Sequence, residues 1–291
     1  MKLKTRIFRA TNKLLSAVNL EVKPVGSDLD SRLADGPVLD RTLAEMTRLL
    51  QDWFAEQTMF EATQPFTVAD TRAFYDAYLD CPFRKSFGGS RFNNLLSLYA
   101  ITKVYNPTTI VDSGTFQGAS AWAFARASSS ARILSYDIDM TRLIHREPRV
   151  EYIAHDWATP LPTFAAGERT LAYFDDHVDQ CQRLLEASRA GIDVAVFDDD
   201  FSTSTFMPFA HGGFSLPKVE FALDDHLRSI DQLTWVAGGK SLSWPVDVDY
   251  LDRARATIAD TDRLPDGSNI TGLGQLPYRV VKMASQAMPV S

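Results

Sequence analysis

The sequence predicts an α/β protein with a mostly parallel sheet flanked by helices, and three observations predict it. From residue 108 onward short β-branched runs alternate with helical segments, five of those runs end in an acid, and the ninety residues before them read as helices. Strands that alternate with helices need crossover connections, which are right-handed and bury a parallel sheet on both faces. Ligands of such sheets bind beyond the carboxyl ends of the strands. The expected division is an N-terminal helical extension over 1–90 and a sheet domain over 91–291.

The elements follow in order. MKLKTRIFRATNKLLSAVNL carries Lys2, Lys4, Arg6, Arg9 and Lys13 with no acid before Glu21, and Ile7, Phe8, Leu14, Leu15 and Val18 fall on one helical side. That pattern is compatible with rest on an anionic membrane surface, but a terminal helix packed on its own domain with a solvated basic face is the favoured reading. RTLAEMTRLLQDWFAEQTMF repeats Met46, Leu49, Leu50, Trp53 and Phe54 at helical spacing, the mark of a core-facing helix. TVADTRAFYDAYLD opens with Thr67 three residues before Asp70, a capping-box start. FNNLLSLYAITKVY reads as a further helix, which Pro107 stops.

TTIVDSG, ARILSYDID, VEYIAHDW, TLAYFDD and IDVAVFDDD are the strand candidates, with SAWAFARAS and VDQCQRLLEASRAG as helices between them. Residues 201–217 predict a long irregular loop of the kind that serves as a lid. LTWVAGG and PYRVVKMA are later strands, and DYLDRARATIAD between them reads as helical.

Composition narrows the function. With 291 residues, 45% hydrophobic and 23% charged, the chain can bury a full core. Its net charge of -7 argues against a general nucleic-acid binder, whose phosphate contacts need a basic surface. Cys81 and Cys181 stand far apart with no C-x-x-C spacing, so two buried free thiols are expected. No run approaches a spanning helix and no secretory h-region is present, which makes a cytoplasmic protein the expectation.

The stretch IVDSGTFQGAS holds the glycines that matter. A nicotinamide site wants G-x-G-x-x-G, and counting from Gly114 the second glycine is Phe116, whose ring disfavours a dinucleotide. GGKS at 238–241 lacks the glycine of a phosphate loop, because Thr234 stands there. What remains is D-x-G-x-x-x-G, an acid at a strand end followed by spaced glycines. This resembles the first motif of class I S-adenosylmethionine-dependent methyltransferases, which are Rossmann-like, and the resemblance extends over roughly residues 90–205. It implies a cofactor loop of Asp112, Ser113, Gly114, Thr115 and Gly118. Asp137 in SYDID would hold the ribose diol, Asp112 would stand near the amino group, and Asp156 with Trp157 in IAHDW would meet the adenine.

YFDDHVDQCQRLLEA resembles the fourth strand and following helix of metal-dependent O-methyltransferases that act on sugars of glycosylated natural products. The resemblance implies a small-molecule or glycan acceptor and a divalent cation, usually magnesium, held by Asp175, Asp199 and Asp200. His177 would take the proton, with Asp175 and Asp176 as its catalytic neighbours. The register of the acids at 175–177 and 198–200 stays open, since the family's glycine is absent and three acids run together. His145, His155, His211 and His226 are weaker candidates. A metal-dependent hydroxylase on the same sheet and a catalytically silent binding or scaffold protein are the alternatives.

Overall fold

The computed structural model describes residues 33, 36–59, 61–84, 89–165, 167–202, 216–237 and 239–284. The basic stretch 1–20 and residues 203–215 of the expected lid lie outside the described residues.

Three helices come first: α1 (Gly36–Glu56), α2 (Val68–Leu79) and α3 (Phe92–Tyr105). α1 buries Met46, Leu50 and Trp53, the face its periodicity predicts. α2 begins at the expected capping box, with the Thr67 hydroxyl accepting from the Asp70 N–H and the Asp70 carboxylate accepting from the Thr67 N–H at 2.9 Å. α3 ends at Asn106, which adopts a left-handed conformation one residue before Pro107.

The sheet is built from β1 (Thr109–Ser113), β2 (Arg132–Tyr136), β3 (Val150–Ile153), β4 (Thr170–Phe174), β5 (Val194–Phe197), β8 (Ile258–Arg263) and β9 (Arg279–Met283). Its order is β3-β2-β1-β4-β5-β9-β8, parallel from β3 to β5 and antiparallel at β9 and β8. The fold is therefore Rossmann-like α/β. α4 (Ala119–Ala127) connects β1 to β2, and α5 (Gln180–Ala190) connects β4 to β5.

Alternate strand residues feed two cores, as the pleat requires. Ile110, Ile133, Leu171, Val194 and Val280 join α1 to α4 in one cluster, so the helices before residue 90 share a core with the sheet. Val111, Leu134, Ala172, Ala195 and Val281 face α5, α6 (Val219–Leu223) and α7 (Val248–Arg255). Every residue of α3 except Lys103 is buried, and Asn94 pairs with Leu276 through two 3.1 Å bonds that pin the segment before β9.

One expectation is corrected. The helix read over DYLDRARATIAD stops at Arg255, and residues 258–263 form the edge strand β8. Its polar sequence hid it; Asp262 accepts from Trp53 Nε1 and Gln57 Nε2 at 2.8 Å each, so the end of α1 covers that edge. LTWVAGG is a strand as expected, β6 (Gln232–Ala237), and pairs with β7 (Lys240–Pro245) in a separate hairpin. Cys81 and Cys181 are buried thiols that form no disulfide among the described residues, as expected. No helix among the described residues is long and apolar enough to cross a membrane.

Candidate functional site

A cavity of about 500 Å³ opens at the carboxyl ends of β1, β2, β4 and β5, where the strand order reverses beside β1. Its size lies in the ~300–1,000 Å³ range of small-molecule sites. The glycine loop forms one wall. Gly114 has φ +102°, and a Cβ there would stand 2.3 Å from the carbonyl oxygen of Asp175, so the loop lies directly on the end of β4. At Gly118 a Cβ would stand 2.9 Å from the His145 carbonyl oxygen. That glycine lets the chain pass behind the loop and does not line the cavity.

The acids of this wall have different roles. Asp137 borders the cavity and accepts the Phe116 N–H at 2.7 Å and the Asp139 N–H at 2.8 Å, which fixes its carboxylate at the mouth. Each oxygen keeps a lone pair for a ligand hydroxyl. Ile138 beside it is 81% exposed and offers the cavity an apolar face. Asp112 departs from the expectation: it is sealed beneath the loop, where its Oδ2 accepts from Ser135 Oγ at 2.6 Å. Burial pushes its carboxyl up to about 6, against the pull of Ser135 and Ser120. Thr115 is likewise buried, its hydroxyl 2.6 Å from that of Ser135. Asp112, Thr115 and Gly118 thus shape the loop, while Ser113, Gly114 and Phe116 face the cavity.

Asp156 borders the cavity, but Trp157 does not. The Trp157 ring is fully buried and packs on Phe174 with centroids 5.2 Å apart, on the opposite side of the sheet end. One residue of register turned the expected adenine contact into core. Sequence reasoning also missed Arg183. Its buried guanidinium joins Asp156, Asp176 at 2.9 Å and Glu186 at 2.6 Å. The signal was present: Arg183 and Glu186 share the face of α5 that carries Leu184 and Ala187 into the core. Burial raises Asp176 and would raise Asp156, but Arg183 reverses the second shift and holds Asp156 below the usual range. Asp176 also accepts from Ser113 Oγ at 2.5 Å, so its carboxylate serves as a brace between β1 and α5.

The ends of β4 and β5 carry the remaining acids. Asp175, His177 and Asp199 each offer one ligand atom, and those three atoms lie within 4.8 Å of one another. His177 at φ 56° and Asp199 at φ 55° both hold the left-handed backbone that non-glycine residues rarely adopt. Asp199 is 5% exposed, and its Oδ1 has no hydrogen-bond partner among the described residues. Asp198 accepts from Tyr173 Oη at 3.0 Å, and Tyr173, Tyr278 and Ser90 form a buried hydroxyl web behind it. Burial, then the Asp199 charge, pushes Asp198 up to about 8. Burial, then Asp198 and Asp199, raises Asp175 well above the carboxylate range.

Asp200 is not part of this group. It is fully buried, ion-paired to Arg279, and accepts the Glu220 N–H at 2.8 Å. Lys218, absent from the sequence reading, is buried against the same acids; burial lowers its pKa while Asp199, Asp200, Asp198 and Asp175 raise it.

No family model matches the chain, and no curated protein matches it. Solved structures do resemble it. A methyltransferase from Geobacter sulfurreducens is 16% identical over 76% of this chain and 92% of its own, with a TM-score of 0.38. The methyltransferase PaMTH1 from Podospora anserina, solved with S-adenosylhomocysteine, is 15% identical over 75% of this chain and 88% of its own, TM-score 0.42. The O-methyltransferase TomG from Streptomyces achromogenes, solved with S-adenosylmethionine, is 14% identical over 83% of this chain and 99% of its own, TM-score 0.40.

Proposed function

We propose that the chain is an S-adenosylmethionine-dependent O-methyltransferase whose acceptor is a hydroxyl of a sugar, glycan or similar polyol. The observation that carries this reading is the meeting, in one cavity, of the glycine loop with Asp137 on one side and the Asp175–His177–Asp199 cluster on the other. The cofactor half fits the residues present. S-adenosylmethionine carries no phosphate, so Phe116 in the loop is tolerated, and Asp137 suits two ribose hydroxyls. Ile138 gives the purine an apolar surface, and His155 and Asp156 close the far wall.

The acceptor half fits a divalent cation. Asp199 Oδ1 is a buried oxygen without a partner among the described residues, and two carboxylates so crowded carry a penalty that a cation relieves. A cation bound there would orient neighbouring acceptor hydroxyls and stabilise the charge that develops as one of them attacks the methyl group. Asp175 and Asp199 would hold it. Asp200, expected in the set, is engaged by Arg279 instead. Asp198, gripped by Tyr173 and the Asp199 N–H, keeps Asp175 in place.

The test is methyl transfer from labelled S-adenosylmethionine to a panel of glycosylated and polyol acceptors, with and without chelator. Label in a hydroxyl of a sugar-bearing acceptor, lost with chelator and restored by divalent cation, is expected. Transfer to amines or thiols alone, or full transfer in excess chelator, refutes it.

A further inference from the structure

We infer that Asp175, His177 and Asp199 form a mixed nitrogen and oxygen site that selects a first-row transition dication such as manganese over magnesium, with His177 as ligand rather than proton acceptor. The inference rests on the methyltransferase reading for what the ion does, though the site itself stands on its own geometry. Ligands on opposite sides of one such ion stand roughly 4–4.5 Å apart. The three ligand atoms lie within 4.8 Å of one another, so modest side-chain movement would gather them around one ion.

Asp199 supplies the independent sign of a missing partner. A carboxylate oxygen that is buried and unbonded costs stability unless something compensates it, and this one belongs to a residue whose ligand oxygen faces Asp175 and His177. The other carboxylates nearby are engaged, Asp198 by the Tyr173 hydroxyl and the Asp199 N–H. Asp200 is held by Arg279 and by the Glu220 N–H, and Asp176 by Ser113 and Arg183. The third ligand atom of the set is the His177 imidazole nitrogen. Magnesium sheds water reluctantly and takes oxygen donors, whereas first-row dications accept an imidazole nitrogen more readily, manganese least among them. The chain has also placed that imidazole at an unfavourable φ of 56°, beside Asp199 at 55°.

Manganese and magnesium are titrated into the full chain by calorimetry, and the bound manganese is examined by pulsed electron paramagnetic resonance. Manganese is expected to bind at least about 30-fold more tightly than magnesium, with nitrogen coupling in the spectrum. His177→Asn keeps a residue that tolerates the left-handed backbone; it should abolish the coupling and cut the preference for manganese by about 10-fold. Equal affinities for the two ions, or coupling that survives in His177→Asn, overturns the inference. An unchanged unfolding midpoint for that variant separates ligand loss from misfolding, and Asp199→Asn, which leaves the backbone donor set intact, should independently remove the tight manganese phase. S-adenosylhomocysteine is titrated into the same samples. Failure of that binding with nitrogen coupling intact refutes the methyltransferase reading alone, and the reverse outcome refutes the metal site alone.

Discussion

Asp199→Asn and Asp200→Asn alter neighbouring residues and are expected to act in opposite directions. Asp200 is fully buried and paired with Arg279, so its neutralisation breaks a buried ion pair and leaves the guanidinium with only Glu220 and its own surroundings. Breaking such a pair costs about 3–5 kcal/mol. Asp199 is also buried, but one of its oxygens is unbonded, and burial raises its pKa despite Lys218 and His177. An unsatisfied buried group costs about 1–3 kcal/mol, so removing the charge at 199 should stabilise the cation-free protein by about 1–2 kcal/mol. The assay is denaturant unfolding at pH 7, in chelator and in manganese. At a hundred times its dissociation constant a bound ion adds about 2.7 kcal/mol. Wild type and Asp200→Asn should gain that increment, and Asp199→Asn should not. If Asp199→Asn is destabilised as much as Asp200→Asn, or if Asp200→Asn alone loses the manganese increment, the division of labour between these acids is wrong.

Three other outcomes follow from the same geometry. Gly114→Ala would drive a Cβ to 2.3 Å from the Asp175 carbonyl oxygen at φ +102°, so the loop must lift off β4; a loss of about 2–4 kcal/mol in stability and of about 100-fold in S-adenosylhomocysteine affinity is expected, and wild-type affinity would contradict it. Asp112 holds its proton to about pH 6 when folded and to about 3.9 when unfolded, so the folded state binds the extra proton in that window and stability falls as pH rises through it. Unfolding free energies should therefore shift in favour of Asp112→Asn by about 2–3 kcal/mol between pH 4 and 6, and a difference that is flat with pH would refute the assignment. Arg183→Met leaves Asp156, Asp176 and Glu186 without their shared cation and should cost about 3–5 kcal/mol; an unchanged unfolding midpoint would show that these carboxylates do not depend on it.

What could be read from the sequence was whatever depends on local pattern. The buried face of α1, the Thr67–Asp70 cap, the Pro107 stop and the five acid-ended parallel strands all follow from periodicity or from residues a few positions apart. The edge strand β8 escaped because an edge is half solvated, and IADTDR carries charges where a central strand carries apolar residues. The site was legible as a region and not as a set of side chains. Asp112 and Asp137 look equivalent in sequence, yet one side chain turns under the loop and the other toward the mouth. Trp157 and Asp156, and Asp199 and Asp200, are adjacent pairs split between cavity and interior by the direction of a single residue. Lys218 became visible only when distant segments were brought together around the acids, whereas Arg183 was marked by its place on the core face of α5.

The most direct test of the central claim is calorimetric titration of S-adenosylhomocysteine and, separately, NAD into the wild-type chain and Asp137→Ala. The account predicts one S-adenosylhomocysteine site per chain, no NAD binding, and a loss of about 1.5–3 kcal/mol in Asp137→Ala, or roughly 10- to 150-fold in affinity, as removal of a charge-assisted hydrogen bond requires. NAD binding in place of S-adenosylhomocysteine, or unchanged S-adenosylhomocysteine affinity in Asp137→Ala, would contradict it.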